Sequence, residues 1–272
     1  MEKIKGFKNS FFVYDFFGYL LPGFFFICLF IVDYDFTKVI EYYYSKKTLY
    51  GLNRHDGTFL YDYLFSYLTW NSDRDFKFTG LILLILFCYT LGHIIAALSS
   101  FIIEKCFNQF FLGFPSSNLL TIGKRTWLQR IFKNYTSPFS KEFIKDFNDI
   151  FEQRFGVNKS SKDKYWLCFS DISKYLPMAY NRIIHFLNLY GFSRNVAGAF
   201  LIYLVIRICI LLPIGSRISG INWITLGIFL LSAAINIKNY LKLYYRQCSE
   251  IYYHFYSLHT DKKFLDSKET FY

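Results

Sequence analysis

The chain has 272 residues, 53% of them hydrophobic and 23% aromatic, with a formal net charge of +11. An ordinary soluble domain is about 45 to 50% apolar, so the composition argues against one, and the clustering of apolar residues argues further. The surplus charge calls for no nucleic-acid polymer, because Lys and Arg beside membrane spans bind anionic lipid headgroups.

The first element is FFVYDFFGYLLPGFFFICLFIV, residues 11 to 32. It admits a cleaved signal, a core helix or a first membrane crossing. No small-residue cleavage site follows, which removes the signal. A helix from Tyr14 to Asp33 is about 30 Å long and leaves Asp33 and Asp35 at its end, away from mid-membrane where a charge is costly. Pro22 donates no amide hydrogen and its ring displaces the preceding turn. The Gly18 carbonyl is thereby freed, and a bend or a local hydration site is expected there.

The segment 33 to 77 is nearly neutral, with seven acids and six bases. Tyr63, Tyr67 and Trp70 recur in it at helical spacing, as in an interfacial aromatic belt, and a small lid on the outer leaflet is expected. FTGLILLILFCYTLGHIIAALSSFII, residues 78 to 103, has no formally charged residue in 26 positions. As a helix it spans about 39 Å, enough to cross. Gly92, Ala96 and Ser100 form a small-residue stripe suited to close helix contact. His93 beside the stripe reads first as a hydrogen-bonding partner of a neighbouring helix and second as a proton carrier.

The segment 104 to 195 reads as helices. Over 123 to 135, Trp127, Leu128, Ile131, Phe132 and Tyr135 share one face, while Arg125, Arg130 and Lys133 lie mostly around the other. Such a helix suits a membrane surface, or it presents a basic pocket to a phosphate-bearing ligand. Over 140 to 156 a stripe of Phe143, Ile144, Phe147, Ile150, Phe151 and Phe155 predicts a helix capped by Ser140 and stopped by Gly156. A third helical stretch, 178 to 192, follows Pro177 and feeds the next apolar run.

That run, residues 196 to 213, carries one charge, Arg207, about 16 Å from its cytosolic end. An ionisable group at membrane depth costs about 2.5 to 3.5 kcal/mol. Arg207 is therefore read either as lining a pore or cavity, where a ring of such residues favours anions, or as a structural pair. Asp15 is the one formally acidic candidate within the crossings. The last run, 221 to 237, is uncharged, and Ser232 and Asn236 share a face of it. They read as interhelical hydrogen-bonding groups or, if this span lines an axis, as its polar lining. From Trp223 onward apolar residues recur at alternating steps of four and three, a heptad seam. Its later members are Ile237, Leu241, Tyr244, Cys248, Ile251, Phe255 and Leu258. Packing against the chain itself and self-association both fit the seam.

Fourteen of the 31 Lys and Arg residues fall in 104 to 195, which places that segment and both termini in the cytosol. The expected fold class is an all-α membrane protein. It has four transmembrane helices, a small helical cytosolic segment and a long C-terminal helix continuing the fourth span. The divisions are a cytosolic N-terminus and first span (1–36), an extracytoplasmic loop (37–77), the second span (78–103), the cytosolic segment (104–195), the third and fourth spans (196–237), and the cytosolic C-terminal helix and tail (238–272).

No C-x-x-C or Cys/His ligand spacing appears, so neither a metal nor a cofactor is expected. No P-loop, zinc-protease, serine-hydrolase or paired intramembrane carboxylate pattern appears either, and an enzyme is not expected.

The YDFFGYLLPG entry into the first span, and LGHIIAALSS followed by Glu104, together resemble small bacterial membrane effectors of antiphage defence. These include the channel-forming partners of nucleotide-synthesising sensors of the Hailong type. The resemblance covers about a quarter of the chain. It implies a homo-oligomeric inner-membrane ion channel, shut until a cytosolic nucleotide second messenger binds. Opening would then dissipate the membrane potential, giving antiviral defence by abortive infection. Its implied partners are the lipid bilayer, further copies of itself and the nucleotide. The contrasting reading is a non-conducting anchor or accessory subunit of a membrane complex.

Overall fold

In a computed structural model of the chain, residues 15–31, 74–123, 126–156, 160–211 and 220–260 are described, and among them every regular element is helical. In chain order these are α1 (Phe16–Ile31), whose opening Phe16–Leu20 is π-helical, and α2 (Arg74–Ser99), which passes into a π-helical segment, Ser100–Leu112. The short α3 (Pro115–Asn118), α4 (Trp127–Ile131) and α5 (Lys133–Thr136) follow. Then come α6 (Lys141–Phe155), α7 (Ser161–Tyr175), α8 (Pro177–Leu211) and α9 (Gly220–Thr260). Three stretches are long and apolar enough to cross a membrane: Thr79–Asn118, Pro177–Cys209 and Trp223–Thr260. Within the described residues α1 is apolar but shorter than these three.

The chain divides into two compact units. One holds Phe11–Ser99 and Asn195–Ile235. In it α1 and α2 approach closely because their contact positions lack side chains. A Cβ built on Gly23 would overlap the Cys88 carbonyl, and one on Gly92 would overlap the Tyr19 carbonyl. Gly198 of α8 likewise has no room for a Cβ against Ser99, whose hydroxyl donates to Ile95 O at 2.6 Å. Small residues at helix contacts allow such backbone approach where little hydrophobic drive is available. Phe26, Leu29, Cys88, Phe200, Tyr203 and Phe229 fill the interior. Large apolar residues also face outward: Leu83 is 58% exposed, Phe87 59% and Leu231 62%.

The other unit includes Ser100–Arg194 and residues from Asn236 onward. Its core joins Phe147 and Phe151 of α6, Cys168 and Ile172 of α7, Ile183 of α8, and Cys248, Ile251 and Phe255 of α9. Helix α6 begins and ends as its sequence dictates. The Ser140 hydroxyl accepts from Phe143 N at 3.1 Å, and Gly156 closes the helix at φ 74°, a left-handed conformation that suits glycine. Helix α7 is capped by Ser160, which accepts from Asp163 N at 3.4 Å.

Two expectations change here. The single helix expected over 123 to 135 is broken at Phe132 (φ −93°, ψ 32°) into α4 and α5. Thr126 and Gln129 close a capping box around the start of α4, and Gln129 Nε2 donates to Leu112 O at 2.6 Å. Beyond the break, the Thr136 hydroxyl donates to Gln129 O at 2.8 Å, a side-chain bond of the kind that competes with the helical ladder. The heptad seam is also taken up within the chain. Leu241, Cys248, Ile251, Phe255 and Leu258 are buried, and Ile237 and Tyr244 half-buried. Phe255 packs on Phe147 at 5.7 Å and Phe151 at 6.0 Å between ring centroids. From Cys248 to Phe255 the seam packs against α6, α7 and α8 of the same chain, and Tyr244 stacks on Tyr190 of α8.

Candidate functional site

Buried or half-buried polar groups on the long apolar helices are the candidates, since each needs a partner in a low-dielectric setting. Pro22 creates the first. Ahead of it the backbone widens into a π turn, in which Leu21 N donates to Phe16 O. The freed Gly18 carbonyl accepts from Asn195 Nδ2 of α8 at 2.7 Å, buried from solvent. The carbonyl expected to be freed by Pro22 is thus bonded by a side chain from another helix. His93 stacks on Tyr19 of α1, with centroids 3.8 Å apart and planes at 18°, and meets the edge of Tyr89 at 4.6 Å. A ring stack holds it in place of the interhelical hydrogen bond expected for it.

The second unit carries a polar ladder on the π-helical segment Ser100–Leu112. Such segments are rare, and short ones concentrate at functional sites. The Ser100 hydroxyl donates to Glu104 Oε2 at 2.7 Å, and Arg194 Nη1 donates to Glu104 Oε1 at 2.7 Å. Farther along, Asn108 Nδ2 donates to Tyr240 Oη at 2.6 Å. Tyr190 meets the Tyr240 ring at 5.8 Å and stacks on Tyr244 at 4.9 Å. Three buried amide side chains retain unpaired atoms: Asn108 Oδ1, Asn188 Oδ1, and both Nε2 and Oε1 of Gln247.

A second ionic cluster ties the end of α9 to α6 and α7. Asp171 accepts from Arg154 Nε at 3.0 Å and lies 3.1 Å from His259 Nε2. Burial acts to raise the Asp171 pKa, but hydrogen bonds and charge from His259 and Arg154 outweigh it and hold the carboxyl at about 2. Nearby, burial lowers the pKa of Lys164, whose ammonium donates to Asn148 Oδ1 at 2.7 Å. Burial raises that of the Cys168 thiol. These groups position charge; none is arranged as a nucleophile with its base. Among the described residues, no group of three His, Cys, Asp or Glu side chains could hold a metal ion.

The remaining sequence candidates lie on several helices. Asp15 and Arg207 are half-buried on α1 and α8, and Ser232 and Asn236 are half-buried on α9. Arg130 and Lys133 are exposed on α4 and α5, while Arg125, the segment 37–73 and the tail beyond residue 260 lie outside the described residues. Sequence reading passed over Arg194 and Asn195, which fall between the helical stretch 178 to 192 and the apolar run from residue 196. It also passed over α7, whose Ser160-x-x-Asp163 start was a legible capping signal. No family model matches the chain, and neither a known protein of assigned function nor a solved structure is similar to it.

Proposed function

We propose that this chain is a multi-pass bacterial inner-membrane protein that assembles into a homo-oligomeric ion channel, opened by a cytosolic nucleotide-type ligand and serving as an effector of antiphage defence. On this reading α1 completes a fourth crossing, both termini are cytosolic, and the protein performs no chemistry of its own. The observation that carries the reading is the outward apolar face of α2, α8 and α9: Leu83, Phe87, Ile94, Val205, Trp223 and Leu231 are all exposed. Contiguous apolar surface of that kind marks contact with lipid or with another protein chain. Ser232, Asn236 and Arg207 supply the polar lining that an aqueous path needs. Trp127 and Ile131, exposed beside Arg130 and Lys133, suit the inner membrane surface.

The test is current across a planar bilayer containing the purified chain, with and without added nucleotides, alongside its mass in detergent. Nucleotide-dependent current from an oligomer is the expected result. A monomer that conducts under no condition would leave the accessory-anchor reading in its place.

A further inference from the structure

A cavity of about 660 Å³ opens between the turn and first residues of α6 and the middle of α9. That volume lies within the range of small-ligand sites, which are mostly apolar with a few placed polar groups. One wall is basic. Lys242 and Arg246 line it, no acid does, and neither base has an acidic partner among the described residues. Glu250, one turn beyond Arg246 on α9, is committed to Arg182 at 2.8 Å. Arg246 is steadied over the Phe186 ring at 5.0 Å.

Farther along α9 the lining is aromatic. Phe139, Phe143 and Tyr253 pack mutually, with centroids 4.6 Å (Phe139–Phe143), 4.9 Å (Phe139–Tyr253) and 5.2 Å (Phe143–Tyr253) apart. Tyr253 nevertheless keeps 52% of its surface exposed. A large ring held from behind and open in front is a stacking platform, which accepts any planar base. Two cations at the other end match phosphate oxygens.

We infer that this cavity binds a phosphate-bearing ligand with a planar heteroaromatic ring, such as a nucleotide, with the phosphates on Lys242 and Arg246 and the ring on Tyr253. The assignment rests on the reading of the chain as a ligand-operated membrane protein and moves its ligand site away from Arg130 and Lys133. Lys242, Arg246 and Tyr253 belong to α9, the same helix that carries Ser232 and Asn236, so a ligand bridging α9 to the turn before α6 acts directly on that helix.

Binding of ADP, GDP, CDP and UDP to the full-length chain in detergent, measured by thermophoresis, tests the site. At least one should bind saturably. Lys242→Ala combined with Arg246→Ala should weaken binding tenfold or more, Tyr253→Ala fivefold or more, and Arg130→Ala with Lys133→Ala not at all. Bound nucleotide should also protect Lys242 from acylation, read by mass spectrometry on the wild-type chain, which keeps the test independent of variant folding. Absence of binding by all four nucleotides overturns the proposal, as does unchanged binding in the double variant. Glycerol phosphate or phosphatidylglycerol nanodiscs competing as well as nucleotide, with Tyr253→Ala without effect, would make this a headgroup site and overturn it too. Saturable binding without bilayer current would remove the channel and keep the site; nucleotide-gated current that survives the double variant would do the reverse.

Discussion

Asn195 and Gly18 show how one missing amide hydrogen shapes a helix contact. Removing Asn195 leaves a buried carbonyl without a donor, which costs about 1 to 3 kcal/mol. Asn195→Leu should therefore lower the melting temperature in detergent. Pro22→Ala in the same background should restore part of the loss, because it returns an amide hydrogen within reach of Gly18. Equal losses with and without Pro22 would show that Asn195 acts elsewhere. The glycines make a second case. Gly23→Ala or Gly92→Ala places a methyl against a backbone carbonyl, and a carbonyl cannot turn aside as a flexible side chain can. Overpacking of that kind costs about 1 to 3 kcal/mol. Gly156→Ala, at a position with open space but φ 74°, should cost about 1 kcal/mol through backbone strain alone. Thermal unfolding should separate the two causes: Gly156→Asn, which tolerates the left-handed conformation, should recover part of the third loss, whereas asparagine at position 23 or 92 should cost at least as much as alanine.

Helix existence was legible in α6 and α8, where an apolar period met a cap or a proline, and α7 shows that a cap alone can be passed over. Ser140, the Phe143 to Phe155 stripe and Gly156 together defined α6 to the residue, and Pro177 marked the start of α8. What stayed hidden were pairings between distant segments. Glu104 with Arg194, Asn108 with Tyr240, and Asp171 with His259 are each separated by 85 residues or more, and no local period encodes such a meeting. The heptad seam shows the complementary limit: period fixes which face of α9 is apolar but not what covers it. The Asp171 cluster fastens α9, and its pH dependence follows from the sign of the shift. A carboxyl held at about 2 in the fold and near 3.9 when unfolded contributes stability that is complete above about pH 4 and lost as pH falls toward 2. Protection of the amides near His259, relative to intrinsic exchange, should therefore show no step from titration of Asp171 between pH 5 and 7. Asp171→Asn should lower that protection across the whole range. If the wild-type amides loosened between pH 5 and 7 in step with the variant, the carboxyl would not be the anchor.

At the scale of the molecule, two kinds of surface compete for the same solvent. Leu83, Phe87 and Leu231 face outward on stretches with almost no charge, whereas α6 and α7 leave most of their acids and bases exposed around an aromatic core. No single aqueous or lipid environment suits both. The proposed orientation follows from charge: a basic segment and a basic tail are expected on the side of the membrane from which positive residues are not translocated. This orientation is the last prediction. Ser45→Cys, in the segment 37–77, should gain a label from a membrane-impermeant maleimide in intact spheroplasts, relative to the wild-type chain. Ser267→Cys, in the tail, should gain one only after lysis. Labelling of both in intact cells would require an even number of crossings between them, which the three long apolar helices plus α1 do not allow if all four cross, because residues 45 and 267 are then separated by three. The two labels are accordingly expected on opposite faces, and finding them on the same face would remove one of α2, α8 and α9 from the membrane.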